Sequence, residues 1–147
     1  MRFISRIARC SEQYRADKLD GTDLSPCQYT YITHICRCPG ISQDGLAKTI
    51  HVNKSNVARQ LAALEVSGYV IRRPSYSDKR IIECYPTVKA DDILPMIYDM
   101  LRSWDEYLTE GFTADERETV ARLLGIMSER AADYVDRRDG EAGDSQK

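Results

Sequence analysis

Residues 41–86 read ISQDGLAKTIHVNKSNVARQLAALEVSGYVIRRPSYSDKRIIECYP, and the order of elements in this stretch decides the fold. Ser42 stands directly before QDGLAKTI, where its hydroxyl can accept from the free N–H groups of a first helical turn. Leu46, Ala47 and Ile50 then share one face of that helix. His51-Val52 makes a tight turn, and Asn53 offers a second N-cap to a longer helix in which Val57, Leu61 and Leu64 recur at i, i+4 and i+7. This apolar stripe belongs against a core, which leaves Lys54, Ser55, Asn56, Arg59 and Gln60 on the opposite face. Arg matches the two acceptors of guanine, and Asn and Gln match the donor and acceptor of adenine. The set occupies the first two turns, where a recognition helix meets the major groove.

Gly68 supplies the positive-φ residue that ends the helix. Residues 69–73 and 81–85 are β-branched and aromatic, and between them PSYSDKR is rich in turn formers, with Lys79 and Arg80 at its far end. The pattern predicts a winged helix-turn-helix, mainly α with a small two-stranded β wing. An ordinary surface hairpin would account for the ribbon alone. Its cationic tip and its place beside a polar-faced helix favour contact with duplex DNA.

At these residues the sequence resembles the MarR family of bacterial transcription regulators. Leu24, Ser25 and Gln28 match the opening of that family's second helix, and Leu46-Ala47 its third. Arg59, Leu64 and Gly68 match the recognition helix, and Asp78-Lys79-Arg80 the wing signature D-x-R. The resemblance runs from the first helix to about Arg137, giving one domain over 1–137. Within it 24–86 forms the DNA-binding lobe, and 1–20 and 88–137 form long dimerisation helices. The chain departs from the family after the wing, where Pro86-Thr87-Val88-Lys89-Ala90 replaces the usual Leu-Thr and Lys-Gly; Pro86 there removes a ladder donor.

The resemblance implies a homodimer built from the first, fifth and sixth helices, acting most often as a repressor. Twofold symmetry would set two recognition helices about 34 Å apart and call for a palindromic site. Arg59 and Asn56 would read bases, while Lys54, Ser55, Gln60 and Ser42 fix phosphates and register. Arg80, flanked by Lys79, would enter the minor groove; Asp78 would orient Arg80 or a neighbouring basic residue, or else only shape the wing turn. The resemblance also implies a pocket for a small aromatic or phenolic anion where the dimer helices meet the lobe. Tyr14, Tyr31 and His34 are the candidates to line it.

The remaining helices follow from spacing. A first helix from Arg2 to about Leu19 carries Phe3, Ile4, Ile7, Ala8, Ser11 and Tyr14 along one side, and residues 20–23 break it. Ser25-Pro26 reads as a capped start with Pro at the first position, for a helix over 27–37 that Pro39-Gly40 stops. Thr87 caps a long helix with Ile93, Ile97, Met100, Leu101, Trp104 and Leu108 in phase, which Pro95 should bend or loosen in its first turns. Gly111 ends it. Thr113 and Glu116 form a capping box for a last helix striped with Val120, Leu123, Leu124, Met127, Ala131, Tyr134 and Val135. These faces exceed what a small domain covers by itself, and a partner subunit is the simplest remedy. Residues 138–147 are expected to be a disordered tail.

Composition bounds the function. The 147 residues are 42% hydrophobic and 30% charged, ordinary for one domain with a real core. No apolar run approaches the ~20 residues of a membrane span, and no secretory signal is present, so a cytoplasmic protein is expected. The net charge of −2 divides unevenly: residues 42–80 hold seven Lys or Arg and three Asp or Glu, so +4 here stands against −6 elsewhere. Phosphate affinity depends on that local footprint. Five cysteines, at positions 10, 27, 36, 38 and 84, make an odd set that argues against a disulfide framework.

Catalytic patterns are missing: there are two histidines, no Gly-x-Ser-x-Gly, no phosphate-binding loop and no converging carboxylate pair. A non-enzyme without cofactors is expected. His34-x-Cys36-x-Cys38 has ligand-type residues, but helical positions 34 and 36 point apart and nothing completes four ligands, so no metal site is expected. In peroxide-sensing relatives the sensing cysteine lies near the start of the first helix, a position that falls before Met1 here. A redox role for Cys10 would rest on cations such as Arg6 and Arg9. Two rival readings stand beside the regulator: a winged-helix protein-interaction module that never touches DNA, motivated by the acidic remainder, and a thiol-controlled regulator.

Overall fold

The computed structural model describes residues 1–144. Its elements in chain order are α1 (Arg2–Lys18), α2 (Tyr29–Arg37), β1 (Ile41–Ser42), α3 (Gln43–Thr49), α4 (Lys54–Val66), β2 (Val70–Pro74), β3 (Ile82–Pro86), α5 (Val88–Leu108) and α6 (Ala114–Asp144). The chain divides into two compact units, residues 1–105 and 106–147.

The first unit contains the winged helix. Ser42 Oγ accepts from the Gly45 N–H at 2.9 Å and Asn53 Oδ1 from the Asn56 N–H at 2.8 Å, so both helices of the pair start on side-chain caps. Between them His51 takes a positive φ of 51°, a conformation in which His is more common than most residues. Val57, Leu61 and Leu64 are fully buried and meet Ile32, Ile35, Leu46, Val70 and Cys84 in one core. Ala90, Ile97 and Met100 bring α5 into the same core, and α5 continues through Pro95.

The wing is a sheet of three strands, not the expected two, in the antiparallel order β1-β3-β2. Ile41 pairs with Cys84 and Ser42 with Glu83, while Val70 to Pro74 pair with Pro86 to Ile82. A two-residue strand has no periodicity to betray it in sequence. Pro86 sits at the last pair, where its missing donor is made good by the next residue. The Thr87 N–H donates to the Tyr69 carbonyl at 3.1 Å, and its hydroxyl donates to the Gly68 carbonyl at 2.7 Å and accepts from the Ala90 N–H.

The expected start of α2 needs correction. The helix begins at Tyr29, two residues late, because residues 25–28 form a turn in which the Gln28 N–H bonds the Ser25 carbonyl. The Ser25 hydroxyl caps nothing. Instead Gln28 Oε1 accepts from the Ser25 N–H at 2.8 Å, which reverses donor and acceptor from the sequence reading.

In the second unit α6 opens on the Thr113–Glu116 box: Glu116 Oε2 accepts from the Thr113 N–H at 2.8 Å, and Thr113 Oγ1 accepts from the Glu116 N–H at 3.3 Å. Those bonds, the Thr113 N–H foremost, hold the Glu116 carboxyl below its ordinary pKa. The helix is described as far as Asp144, and so includes the backbone of 138–144. Residues 145–147 of the expected tail lie outside the described residues.

Candidate nucleic-acid interface

Because its stripe is buried, α4 turns Lys54, Ser55 and Arg59 outward, with Asn56 and Gln60 at the edges of that face. The Arg59 guanidinium donates to Asn56 Oδ1 at 3.0 Å, one turn back along the helix. Ser55 Oγ donates to Asn53 Oδ1 at 2.9 Å. Lys54 Nζ lies 2.7 Å from Asp44 Oδ2 of α3, both side chains well exposed, a pair that contributes little to stability and leaves the ammonium free to exchange partners. Gln60 is turned sideways: its Oε1 accepts from Gln28 Nε2 of α2 at 3.1 Å. Ser42 is half-buried, and its hydroxyl oxygen is engaged as the α3 cap.

At the wing tip Asp78 and Arg80 form a forked pair. Arg80 Nε donates to Oδ1 at 3.0 Å and Nη2 to Oδ2 at 2.8 Å, and the Arg80 N–H also donates to Oδ1. The Arg80 side chain is 90% exposed, so the carboxylate aims the guanidinium without hiding it. Its donation lowers the Asp78 pKa and raises that of Arg80. Lys79 is exposed beside them.

Three ties that hold this reader together escaped the sequence reading. Arg72 on β2 donates from Nε and Nη2 to Glu65 Oε2 at 2.9 and 2.6 Å and from its backbone N–H to Oε1, binding the last turn of α4 to the wing. Its Nη1 reaches Gln43 of α3 at 3.4 Å. The Arg72 side chain holds the Glu65 carboxyl below its ordinary pKa. Gln28, buried, is the second tie. Lys89 of α5 is the third: its Nζ donates to the Ser67 carbonyl at the α4 C-terminus at 2.9 Å and to Asp23 Oδ2 at 2.6 Å, over the Tyr69 ring. A Glu and an Arg seven apart across a helix-strand junction match no periodic pattern, so only the family likeness of Gln28 gave any signal.

The three residues expected to line a ligand pocket separate. Tyr14 stacks on Trp104 with ring centroids 4.8 Å apart and donates to the Met100 carbonyl. It lines an open pocket of about 430 Å³ with Lys18, Met96, Asp99, Met100 and Ser103. Tyr31 does not line that pocket; it is 3% exposed in the core, where burial raises its pKa. His34 does not either, and its Nδ1 lies 2.8 Å from the Thr30 carbonyl. Burial pushes the thiols of Cys36 and Cys84 up to about 11, which disfavours the reactive thiolate. Cys10, Cys27 and Cys38 are exposed. Among the described residues no group of three His, Cys, Asp or Glu is placed to hold a metal, and no helix is long and apolar enough to cross a membrane.

A capped helix-turn-helix, a polar recognition face and a wing with an aimed arginine define a DNA-binding winged-helix protein. Comparison with known proteins gives the family. The MarR family profile matches residues 24–82. The Bacillus subtilis protein described as "Uncharacterized HTH-type transcriptional regulator YybA" is 34% identical over 142 residues, covering 92% of each chain. A crystal structure of MarR superposes with a TM-score of 0.78 at 31% identity, covering 88% of this chain and 94% of that one. A Listeria monocytogenes protein described as a MarR family transcriptional regulator, crystallised with 26mer DNA, gives 0.85 at 25% identity over 91% and 89%. The chain belongs to the MarR family. It is a transcriptional regulator with a DNA-binding winged helix, and the family's members are not enzymes.

Proposed function

We propose that this regulator acts in the cytoplasm as a homodimer on a palindromic operator, as a repressor that a small aromatic ligand releases. The observation that carries the DNA half of this reading is α4 itself: Val57, Leu61 and Leu64 at 0% exposure anchor it while Arg59 stands outward. Arg59 and Asn56 read bases; Ser42, Lys54, Ser55 and Gln60 support register and phosphate contact; Lys79 and Arg80 reach the backbone or minor groove, with Asp78 as the aiming residue.

The dimer is supported by exposed apolar side chains on α1 and on α6. Phe3, Ile4 and Ile7 on α1 and Leu123, Leu124, Ile126 and Met127 on α6 are all exposed. A run of exposed apolar side chains along a helix marks a contact surface more often than free surface. The ligand is supported by the pocket at Tyr14, where the tyrosine ring, Met96 and Met100 offer an apolar surface and Lys18 a cation opposite the carboxylate of Asp99. Binding there would shift the population toward arrangements in which the two lobes cannot both meet their half-sites.

The experiment is a mobility shift with duplexes from the region upstream of the gene. Wild type should bind at low salt and lose affinity steeply as salt rises, and Arg59→Ala should bind at least tenfold more weakly. Equal binding by Arg59→Ala would rule out α4 as the reader, and no duplex binding at low salt would favour the protein-interaction module. Hydroxybenzoates titrated into the wild-type complex should release DNA, and Tyr14→Ala should blunt that release. Peroxide sensitivity lost in Cys10→Ser would favour the thiol-controlled reading.

A further inference from the structure

We infer that the outward face of α4 presents hydrogen-bond donors in place of paired donors and acceptors, and therefore selects guanine over adenine at the bases it meets. The inference rests on the reading of α4 as the DNA-contacting helix. It follows from where the amide oxygens of that helix go. Asn53 Oδ1 accepts from the Asn56 N–H and the Ser55 hydroxyl, Asn56 Oδ1 accepts from Arg59, and Gln60 Oε1 accepts from Gln28.

Amide oxygen and nitrogen are hard to tell apart by shape, but here obligate donors make each assignment. A backbone N–H faces Asn53, so the facing atom is oxygen. Arginine has no acceptor, so the Asn56 atom it touches is oxygen. The Ser25 N–H takes the oxygen of Gln28, which leaves the Gln28 nitrogen to face Gln60 and requires oxygen there.

The donors left for DNA are the remaining guanidinium N–H groups of Arg59, the Lys54 ammonium and the amide nitrogens of Asn56 and Gln60, while the Ser55 oxygen, its proton spent on Asn53, keeps only lone pairs. Each engaged oxygen keeps a second lone pair. A bidentate grip on adenine, however, needs one amide to turn oxygen and nitrogen together toward N6 and N7. At Asn56 the oxygen side is covered by a guanidinium, and at Gln60 by the α2 amide. Guanine offers only acceptors in the major groove, N7 and O6, and fits donors directly. The amino groups of adenine and cytosine would face donors instead. Asn56 thus reaches bases as a donor only, and at the same time holds the fork of Arg59, acting on it as a positioning residue.

The test starts with duplexes selected from a random pool by the full-length protein. Positions whose base preference disappears in Arg59→Ala mark the contacted bases. Guanine should dominate there, and 7-deazaguanine, which lacks the N7 acceptor, should lower affinity about tenfold. Asn56→Ala should weaken binding and flatten the guanine preference at those same positions, because the guanidinium is no longer held. Adenine at those positions, with affinity lost when its amino group is removed, would overturn the inference while leaving α4 as the reader. So would an Asn56→Ala protein that keeps the full guanine preference. No binding to any duplex at low salt would overturn the DNA-contacting role of α4 along with it, which separates the two failures.

Discussion

The helix-turn-helix and the last helix treat their apolar residues in opposite ways. Val57, Leu61 and Leu64 on α4 are wholly enclosed by residues of the same chain, whereas Leu123, Leu124, Ile126 and Met127 on α6 are 38–49% exposed. Both helices carry an apolar stripe of similar quality, so the stripe itself does not say what will cover it. The α4 stripe has α2, α3 and the wing around it. The α6 stripe is exposed along Leu123, Leu124, Ile126 and Met127, and the proposed partner subunit is what would complete it. Reading DNA accordingly rests on a finished core, and the proposed pairing of subunits would rest on an unfinished one.

The sharpest way to break this contrast is inside the lobe. Leu64→Ala should cost about 2–5 kcal/mol in urea unfolding, since a fully buried leucine leaves a cavity that the packed helices cannot close. A loss below about 1 kcal/mol would mean that the lobe core is looser than its burial implies. Replacing Leu123 and Leu124 together with Ser should act differently. Sedimentation should move from dimer toward monomer and operator affinity should fall more than tenfold, while the unfolding midpoint of the lobe stays close to wild type. If the subunits stay paired, α6 is not the interface.

The tie between α4 and the wing can be tested by pH. The folded carboxyl of Glu65 titrates below its ordinary value of 4.5 because Arg72 donates to it. A depressed folded pKa adds stability above the unfolded value, which is lost as pH falls through the folded one. Thermal midpoints of wild type should therefore drop on acidification below about pH 4.5, and Glu65→Gln should flatten that part of the curve. The smallest effect belongs to the exposed tip. Arg80→Ala should weaken operator binding severalfold and reduce the salt slope by about one, without touching stability. A loss as large as that of Arg59→Ala would move the centre of recognition to the wing.

Much of this was legible because it is local. Caps at Ser42 and Asn53, the α4 stripe and the wing strands each announce themselves within a few residues, and D-x-R marked the Asp78–Arg80 pair before its geometry was seen. What the sequence hid was non-local or too short. The Arg72–Glu65 tie joins a helix end to a strand seven residues on, and no periodic pattern marks it. Gln60, expected to help fix phosphates and register, has its oxygen held by Gln28 of α2, a partner 32 residues away that no local pattern reveals. Ser25-Pro26 has the composition of a helix start, yet the backbone spends those residues on a turn. Tyr31 has the amphipathic character of a pocket residue and is instead enclosed in the core.

The two-residue strand β1 leaves the chain no slack between α2 and α3. Gly40 holds a φ of +86° with the Tyr85 hydroxyl 3.3 Å from where a β-carbon would stand, Ile41 and Ser42 pair with β3, and the same Ser42 caps α3. One inserted residue would swap which side chain points inward along the strand and carry the serine off its cap in a single step. Loop length is usually the most forgiving quantity in a protein, but here the spacing from Gly40 to Gln43 should tolerate neither insertion nor deletion. Any lengthening of this regulator has to be absorbed elsewhere.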